Sequence, residues 1–178
     1  MRLKIKVRLK GNVMTKGDLF DRIQNACTVG VDLLPPTLLC DSIGSVGLKP
    51  PRTVTEEATL EDCVNLMRDL HVGSVLVVDK AGLLVGIFTE RDCLMKVLGK
   101  IADLRSARVG DFMTRDPIAE RPDASLAFAL NLMSNGGFRH IPIVDSDRMP
   151  IGVISVKDVV EYIVSKLLHA INEAVDPI

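Results

Sequence analysis

The spacing of hydrophobic positions predicts several short elements in the first part of the chain. From Arg2 to Lys10, charged and apolar residues alternate strictly, which predicts a strand with one solvated face. A targeting peptide is the alternative, since no acidic residue precedes Asp18, but transit peptides are amphipathic helices and this period is that of a strand. Apolar residues between Asp18 and Cys27 recur at helical spacing and predict a short helix, after which Pro35-Pro36 breaks the chain.

From residue 43 onward, the hydrophobic pattern repeats without a gap at an offset of 66 positions. Asn65-Leu66-Met67 aligns with Asn131-Leu132-Met133, and the match reaches back to Ile43-Gly44 against Val109-Gly110. Each copy is about 55 residues long, which indicates an internal duplication rather than a solenoid. The predicted organisation is an N-terminal extension over 1–42, a first copy over 43–98, a linker over 99–108 and a second copy over 109–178.

Each copy is predicted to have the order β-α-β-β-α. The first helices extend over Leu60–Leu70 and over about Leu126–Asn135, with Thr59 and Ser125 as N-caps. The predicted strands lie at 74–78 and 84–88 in the first copy and at 140–144 and 151–154 in the second. Runs such as Val75–Val78 are apolar throughout, which is typical of strands covered on both faces. One copy alone would be marginally stable, so we expect an α/β (α+β) fold in which two pseudo-symmetric copies share a core.

Composition excludes several classes of function. The 178 residues are 47% hydrophobic and 25% charged, as in an ordinary globular protein. The formal net charge of −1 argues against nucleic-acid binding, although the basic N-terminal strand keeps DNA binding open as an alternative. No apolar run approaches the roughly 20 residues that a membrane-spanning helix needs. The 4 cysteines and 3 histidines do not cluster as in a zinc site, so we expect no metal and reduced thiols in a cytoplasmic protein.

One motif occurs at the same place in both copies, where the second strand leads into the second helix. The segments Gly86–Asp92 and Gly152–Asp158 both have the order glycine, two apolar residues, Thr or Ser, any residue, a basic residue and Asp. A Thr/Ser-x-x-Asp sequence is typical of a capping box, in which the hydroxyl and the carboxylate bind free N–H groups of the first helical turn. Duplication of a stable helix start would explain both copies.

A ligand site is the second interpretation of this motif. A glycine without a Cβ lets a ligand approach the backbone, and a helix N-terminus favours phosphate. An Asp can accept hydrogen bonds from both hydroxyls of a ribose, and the Thr or Ser hydroxyl can donate to sugar or phosphate oxygens. These groups together suit a nucleotide. The residues that would contact it are Gly86, Thr89, Asp92, Gly152, Ser155 and Asp158.

The doubled motif and the segment Arg139–Asp145 resemble those of a tandem cystathionine-β-synthase-type (CBS) domain pair, or Bateman module, over about residues 43 to 168. The resemblance implies that adenine nucleotides (AMP, ADP or ATP), or S-adenosylmethionine, bind in clefts between the copies. It assigns Thr89 and Asp92 to one site and Ser155 and Asp158 to the other. It also implies a disc-like homodimer of four repeats.

Arg139 and His140 break the internal symmetry, because the equivalent residues of the first copy are Gly73 and Ser74. Basic residues at this place often face phosphates in proteins of the family that the chain resembles. Since charge-assisted bonds to phosphate need cations, we expect two unequal sites, one of them tighter for polyphosphates. The alternative is that Arg139 is a solvated loop residue and His140 a strand end. Arg91 lies where the helix dipole disfavours a cation, which fits a nearby anion or a salt bridge to the preceding loop.

The sequence contains no nucleophile–base arrangement, P-loop or paired-carboxylate cleft, so we expect a protein that is not an enzyme and requires no cofactor. The leading hypothesis is a regulatory sensor whose ligand, an adenine nucleotide, shifts the packing of the two copies and is read by a separate effector protein. The alternative is an interaction or scaffold protein with vestigial nucleotide sites.

Overall fold

A computed structural model describes residues 7–9, 12–14, 21 and 38–175, and it divides into two compact units. One unit is Cys40–Val156, and the other contains the chain up to Leu39 and from Lys157 onward. In the latter, β1 (Val7–Leu9) pairs antiparallel with β2 (Asn12–Met14). The strand predicted for the N-terminal stretch is therefore confirmed over its described residues. The helix predicted between residues 18 and 27 lies outside the described residues, except for one position.

The first copy has the predicted order of elements, and the second copy has it except for its first strand. In the first copy the elements are β3 (Thr53–Thr55), α1 (Leu60–Leu70), β4 (Ser74–Val78), β5 (Leu84–Thr89) and α2 (Glu90–Asp92), which continues as a π-helical turn over Cys93–Val97. The second copy contains β6 (Thr114–Arg115), α3 (Leu126–Gly136), β7 (His140–Val144), β8 (Pro150–Ser155) and α4 (Val156–Val175). Strand β6 pairs with β5 of the first copy, and the predicted first strand of the second copy is reduced to one bridge at Glu120. The predicted mixed α/β fold is confirmed.

Each sheet is completed by residues from the start of the other copy. In the four-stranded sheet, β3 and β4 are parallel, β5 is antiparallel to β4, and the edge strand β6 comes from the start of the second copy. The antiparallel pair β7–β8 is flanked by a parallel bridge from Glu120 to Ile143 and an antiparallel bridge from Lys49 to Val153. Lys49 lies near the start of the first copy, so the exchange of segments is reciprocal.

The same exchange occurs at the starts of the helices. The first N–H groups of a helix have no partner within it and must find one elsewhere. Here the N–H of Leu60 donates to the Ala107 carbonyl at 3.0 Å, and the N–H of Leu126 donates to the Asp41 carbonyl at 2.9 Å. Each acceptor precedes the opposite copy, so neither copy has a complete helix start or sheet without the other.

Capping and burial agree with the hydrophobic pattern. Thr59 and Ser125 are the N-caps of α1 and α3, and their side chains accept the N–H groups of Asp62 and Phe128. Strand β4 is buried on both faces, as its apolar run predicts. Buried side chains of α1, β4 and β5 form one core cluster, which consists of Leu60, Cys63, Met67, Val75, Val77 and Phe88 together with Val97, Val109 and Met113.

The second helices of the two copies differ in length. Only three residues of α2 are α-helical, whereas α4 has twenty. Gly99 adopts a φ of 74°, a left-handed conformation that glycine reaches without steric cost, and the helical segment ends just before it. Ser165 stands at the equivalent position of the second copy and lies inside α4. No described helix is both long and apolar enough to cross a bilayer.

Candidate ligand-binding site

A cavity of about 440 Å³ lies where the end of β5 in the first copy faces the start of β7 in the second. This volume is within the range of small-molecule sites. The apolar part of its lining comprises Ile87, Pro117, Ile118 and Phe138. Its polar side chains are those of Thr89, Glu90, Arg91, Asp92, Thr114, Asp116, Arg139 and His140. All these residues belong to the compact unit Cys40–Val156.

Thr89 and Asp92 form a complete capping box at the edge of this cavity. Oδ2 of Asp92 accepts the Thr89 N–H at 2.9 Å and the Thr89 hydroxyl at 2.7 Å, and the Asp92 N–H donates to Oγ1 of Thr89 at 3.3 Å. Oδ1 of Asp92 pairs with Nζ of Lys96 at 2.8 Å. The capping interpretation is confirmed for the first copy. A carboxylate has about four acceptor sites. The Thr89 N–H, the Thr89 hydroxyl and Lys96 use three of those on Asp92, so one remains for a ligand.

Arg91 connects the two copies across the same region. Its Nη1 donates to the carbonyl of Gly137 at 2.6 Å. Gly137 is the left-handed C-cap of α3, with a φ of 66°, so its carbonyl belongs to a helix end that a cation stabilises. Arg91 lies at the start of its own helix, where the dipole disfavours a cation, but its guanidinium binds the end of a helix in the other copy.

Arg139 and His140 lie in the same cavity as Thr89. The backbone carbonyl of Arg139 accepts the N–H of Val156 at 3.1 Å, whereas its exposed guanidinium has no hydrogen bond or ion pair in the described part of the chain. His140 is half-buried and lies over Gly73, where an added Cβ would be 3.0 Å from Nε2 of the imidazole. The structure thus brings the asymmetric pair from the second copy to the motif of the first.

Asp116 is a lining residue that the sequence reasoning missed. It has a φ of 42°, donates its N–H to the Val85 carbonyl at 3.0 Å, and accepts Nη2 of Arg148 on Oδ1 at 3.0 Å. A left-handed backbone at a residue other than glycine is uncommon and is often found at ligand sites. A difference between the copies could have indicated Asp116, because the equivalent residue of the first copy is Pro50. The same kind of difference drew attention to Arg139.

Gly86 and Gly152 do not line this cavity, and their missing Cβ atoms have another role. A Cβ on Gly86 would overlap the Met113 side chain, and a Cβ on Gly152 would be 3.1 Å from Cβ of Leu48. Met113 and Leu48 each lie near the start of the copy opposite to the glycine that they contact. The glycines therefore make room for these exchanged segments, which differs from the expected approach of a ligand to the backbone.

Ser155 and Asp158 are not brought to this cavity. Ser155 is the last residue of β8, paired with His140 in the ladder, and Asp158 lies in the first turn of α4. The two residues belong to different compact units. A second site formed by them stays a prediction.

Two thiols lie near the motif, that of Cys63, which is buried, and that of Cys93, which is half-buried. Burial raises the pKa of the Cys63 thiol to about 12 and that of Cys93 to about 11, so both are protonated at neutral pH and are poor nucleophiles. Cys40, Cys63 and Cys93 form no disulfide. Within the described ranges, no three His, Cys, Asp or Glu side chains are grouped in a way that could hold a metal ion.

The profile of the CBS domain matches residues 43–99 and 109–165. The chain belongs to the CBS domain family. It is 37% identical over 115 residues to the mitochondrial CBS domain-containing protein CBSX3 of Arabidopsis thaliana, an alignment that covers 62% of this chain and 55% of that protein. An uncharacterised 17.7 kDa protein of Acidianus ambivalens is 32% identical and is covered over 62% of its length. The chain thus spans less than two thirds of these CBS relatives.

Solved structures of CBS proteins have the same fold. A putative signal-transduction protein with CBS domains from Burkholderia ambifaria superposes with a TM-score of 0.64 at 27% identity, covering 70% of this chain and 94% of that one. CBSX2, solved in complex with AMP, gives a TM-score of 0.59 at 24% identity over 67% of this chain and 94% of that one. The CBS domain pair of MJ0100, in complex with 5′-methylthioadenosine and S-adenosyl-L-methionine, gives 0.59 at 22% over 67% and 97%.

Proposed function

We propose that this chain is a non-catalytic regulatory module that binds an adenosine-containing ligand, either AMP, ADP, ATP or S-adenosylmethionine, in the cavity between its two CBS copies. The observation that carries the proposal is the convergence of Thr89 and Asp92 from the first copy with Arg139 from the second on one cavity. The apolar side chains of the same cavity suit the faces of a purine. The CBS proteins solved with AMP and with S-adenosylmethionine support this class of ligand.

Each group of the ligand has a counterpart in the cavity. The remaining acceptor site of Asp92 and the hydroxyl of Thr89 suit the ribose hydroxyls. The guanidinium of Arg139 suits a phosphate, because its planar fork donates two parallel hydrogen bonds to two oxygens. Ile118 lines the cavity with half of its surface exposed, and an adenine ring packed against it would remove that apolar surface from water.

The reciprocal exchange of segments offers a way to transmit binding. Because each copy completes the other's sheet and helix starts, a ligand that touches both copies would favour one arrangement of the pair over another. We propose that a separate effector protein responds to this change, that the assembly is a homodimer, and that it acts in the cytoplasm. Sedimentation velocity of the chain with and without AMP would measure whether it forms a dimer and whether AMP changes that dimer. A monomer in both conditions would exclude the dimer.

Isothermal titration calorimetry with AMP, ADP, ATP and S-adenosylmethionine tests the proposed ligand class. Saturating ligand at about 100 times its Kd should raise the free energy of unfolding by about 2.7 kcal/mol. A second site that contains Ser155 and Asp158 stays part of the proposal. We expect Asp158→Ala to abolish ligand binding at that second site while the protein remains folded.

A scaffold protein with vestigial sites is the second candidate function. The complete capping box supports it, since the box explains the presence of Thr89 and Asp92 without any ligand. Binding of none of the four ligands, and no change in melting temperature, would favour the scaffold. Catalysis of a reaction on any bound nucleotide would contradict both candidates.

A further inference from the structure

We infer that Lys96 is a positioning residue of the cavity, which holds the lining residues of the first copy and those of the second copy in the arrangement that binds the ligand. The inference rests on the proposed function, because it concerns how the same site is held before an adenosine-containing ligand arrives. Lys96 itself does not line the cavity, so its part in binding is indirect. It follows from three contacts of one ammonium group.

The ammonium group of Lys96 joins the two copies. Its Nζ pairs with Oδ1 of Asp92 at 2.8 Å, and it donates to the carbonyl of Phe112 at 2.8 Å and to that of Met113 at 3.4 Å. An ammonium has three N–H donors, so these three oxygens use all of them. Asp92 belongs to the motif of the first copy, whereas Phe112 and Met113 belong to the start of the second copy. All four residues lie in the compact unit Cys40–Val156.

The groups that Lys96 binds lead directly to the cavity from both copies. Asp92 lines the cavity from the first copy. Thr114, which follows Met113 directly, lines it from the second copy, and so do Asp116 and Ile118. The position of the ammonium group therefore helps to set the distance between the two sets of lining residues.

Lys96 binds the one turn of this stretch that lies between two backbone anchors. The N–H groups of Gly110 and Asp116 donate to carbonyls of the first copy at 3.1 and 3.0 Å. The turn at Phe112 and Met113 lies between these two anchors, and the side chain of Lys96 holds it. A stretch that is ordered before the ligand arrives does not have to be ordered by the ligand, and this preorganisation raises affinity.

The duplicated motif does not imply this link. The residue equivalent to Lys96 in the second copy is Tyr162. A phenol has a single O–H donor, so it cannot make the three bonds that the ammonium makes. Positioning by this side chain is therefore a property of the first copy and its cavity.

The test is calorimetric titration of the full chain with AMP, and of the AMP complex with adenosine as a displacing ligand. The titrations use an Asp158→Asn background, so that the second proposed site does not contribute, and urea unfolding confirms that each variant is folded. Lys96→Met removes the ammonium group and keeps a long unbranched side chain. Lys96→Gln takes its place if Lys96→Met does not fold.

We expect Lys96→Met to weaken adenosine binding by about three- to tenfold, because the ligand must now order the turn itself. AMP binding should weaken at least as much. Adenosine carries no phosphate, so its loss of affinity cannot come from the loss of a cation that attracts phosphate. Lys100→Met is the matched control, because Lys100 is exposed, donates to the carbonyl of Met95 at 2.8 Å and does not line the cavity. It should leave both affinities unchanged.

Hydrogen exchange without ligand gives a second measurement. In Lys96→Met, peptides that cover residues 112–118 should exchange faster than in the parent, and saturating AMP should restore their protection. Peptides from the buried strand β4 should be unchanged, whereas a general loss of stability would speed exchange in both places.

The outcomes separate this inference from the proposed function. If Lys96→Met leaves adenosine affinity unchanged, if it weakens AMP alone, or if Lys100→Met weakens binding as much, the inference is overturned while the proposed ligand class stands. The inference also fails if exchange over residues 112–118 is unchanged or rises only together with that of β4. If neither adenosine nor AMP binds to the folded parent protein, the proposed function itself is wrong.

Discussion

Asp92 has a structural role in the capping box and a proposed role in ligand binding, and substitution can separate the two. Asp92→Ala removes the acceptor for the Thr89 N–H and hydroxyl and the partner of Lys96. Loss of a helix cap costs about 0.5–2 kcal/mol. The ion pair adds at most about 1 kcal/mol, because the Lys96 side chain is 40% exposed and solvent screens it. We therefore expect a loss of about 1–3 kcal/mol, or roughly 2–10 °C in melting temperature.

Asp62 provides a matched control for the capping part of this loss. It forms the same box with Thr59, whose hydroxyl donates to Oδ2 at 2.7 Å, but its side chain is exposed and lies outside the cavity. Asp62→Ala should destabilise the protein less than Asp92→Ala, and it should not change ligand binding. Urea unfolding followed by circular dichroism measures both free energies of unfolding.

Asp92→Asn isolates the binding role. The amide oxygen can still accept from Thr89, so the cap is largely kept, but one side of the group becomes a donor and cannot accept a ribose hydroxyl. We expect this variant to unfold within about 1 kcal/mol of the wild type and to lose most of the thermal shift that AMP produces. Two results would refute the reasoning: an AMP shift that survives in Asp92→Asn, or an Asp62→Ala variant less stable than Asp92→Ala.

Three further predictions concern residues outside the binding groups. Gly86→Ala should lower the free energy of unfolding by about 1–3 kcal/mol in urea, because the added Cβ overlaps Met113 in a buried position, and unchanged stability would contradict this packing. Cys63 and Cys93 should stay unmodified by iodoacetamide at pH 8 until the protein unfolds, as peptide mapping would show, because their raised pKa values leave little thiolate. Burial raises the pKa of Glu120 above 4.5, so the protonated carboxyl favours the folded state. The stability that this shift contributes is present below that pH and is lost as pH rises through the folded-state pKa. Glu120→Gln should therefore stabilise the protein at pH 7 but not at pH 3, and an equal effect at both would refute this.

The repeating hydrophobic pattern was sufficient to predict the elements. In a duplicated sequence each helix and strand is predicted twice, once from each copy, and the two predictions check one another. The elements α1, α3, β4 and β7 accordingly lie where the pattern predicts them. Capping at Thr59 and Ser125 is equally local, since it depends on a hydroxyl three residues before a free N–H group. Propensity and period decide such features within one segment of chain.

The composition of the site was not predictable in this way, because it depends on how the copies meet. Arg139 lies in the cavity with Thr89 of the other copy, and no spacing along the chain indicates that pairing. Asp116 belongs to a segment that crosses to the first copy's sheet, so its place in the cavity follows from the exchange of strands. The π-helical turn after α2 ends at Val97, close to the left-handed Gly99, and the equivalent position of the second copy holds a serine.

Steric contact between the copies favours different residues at the equivalent positions of the site. Gly73 faces His140 so closely that even a Cβ there would have to displace the imidazole by a few tenths of an ångström. The pseudo-symmetric equivalent of Gly73 is Arg139, so an arginine–histidine pair in both copies would place a long cation directly against each imidazole. The small pair Gly73–Ser74 in the first copy is thus the steric complement of Arg139–His140 in the second. In this structure Arg139 and the histidine are both supplied by the second copy, so a ligand held by them would bind an asymmetric site in a duplicated fold.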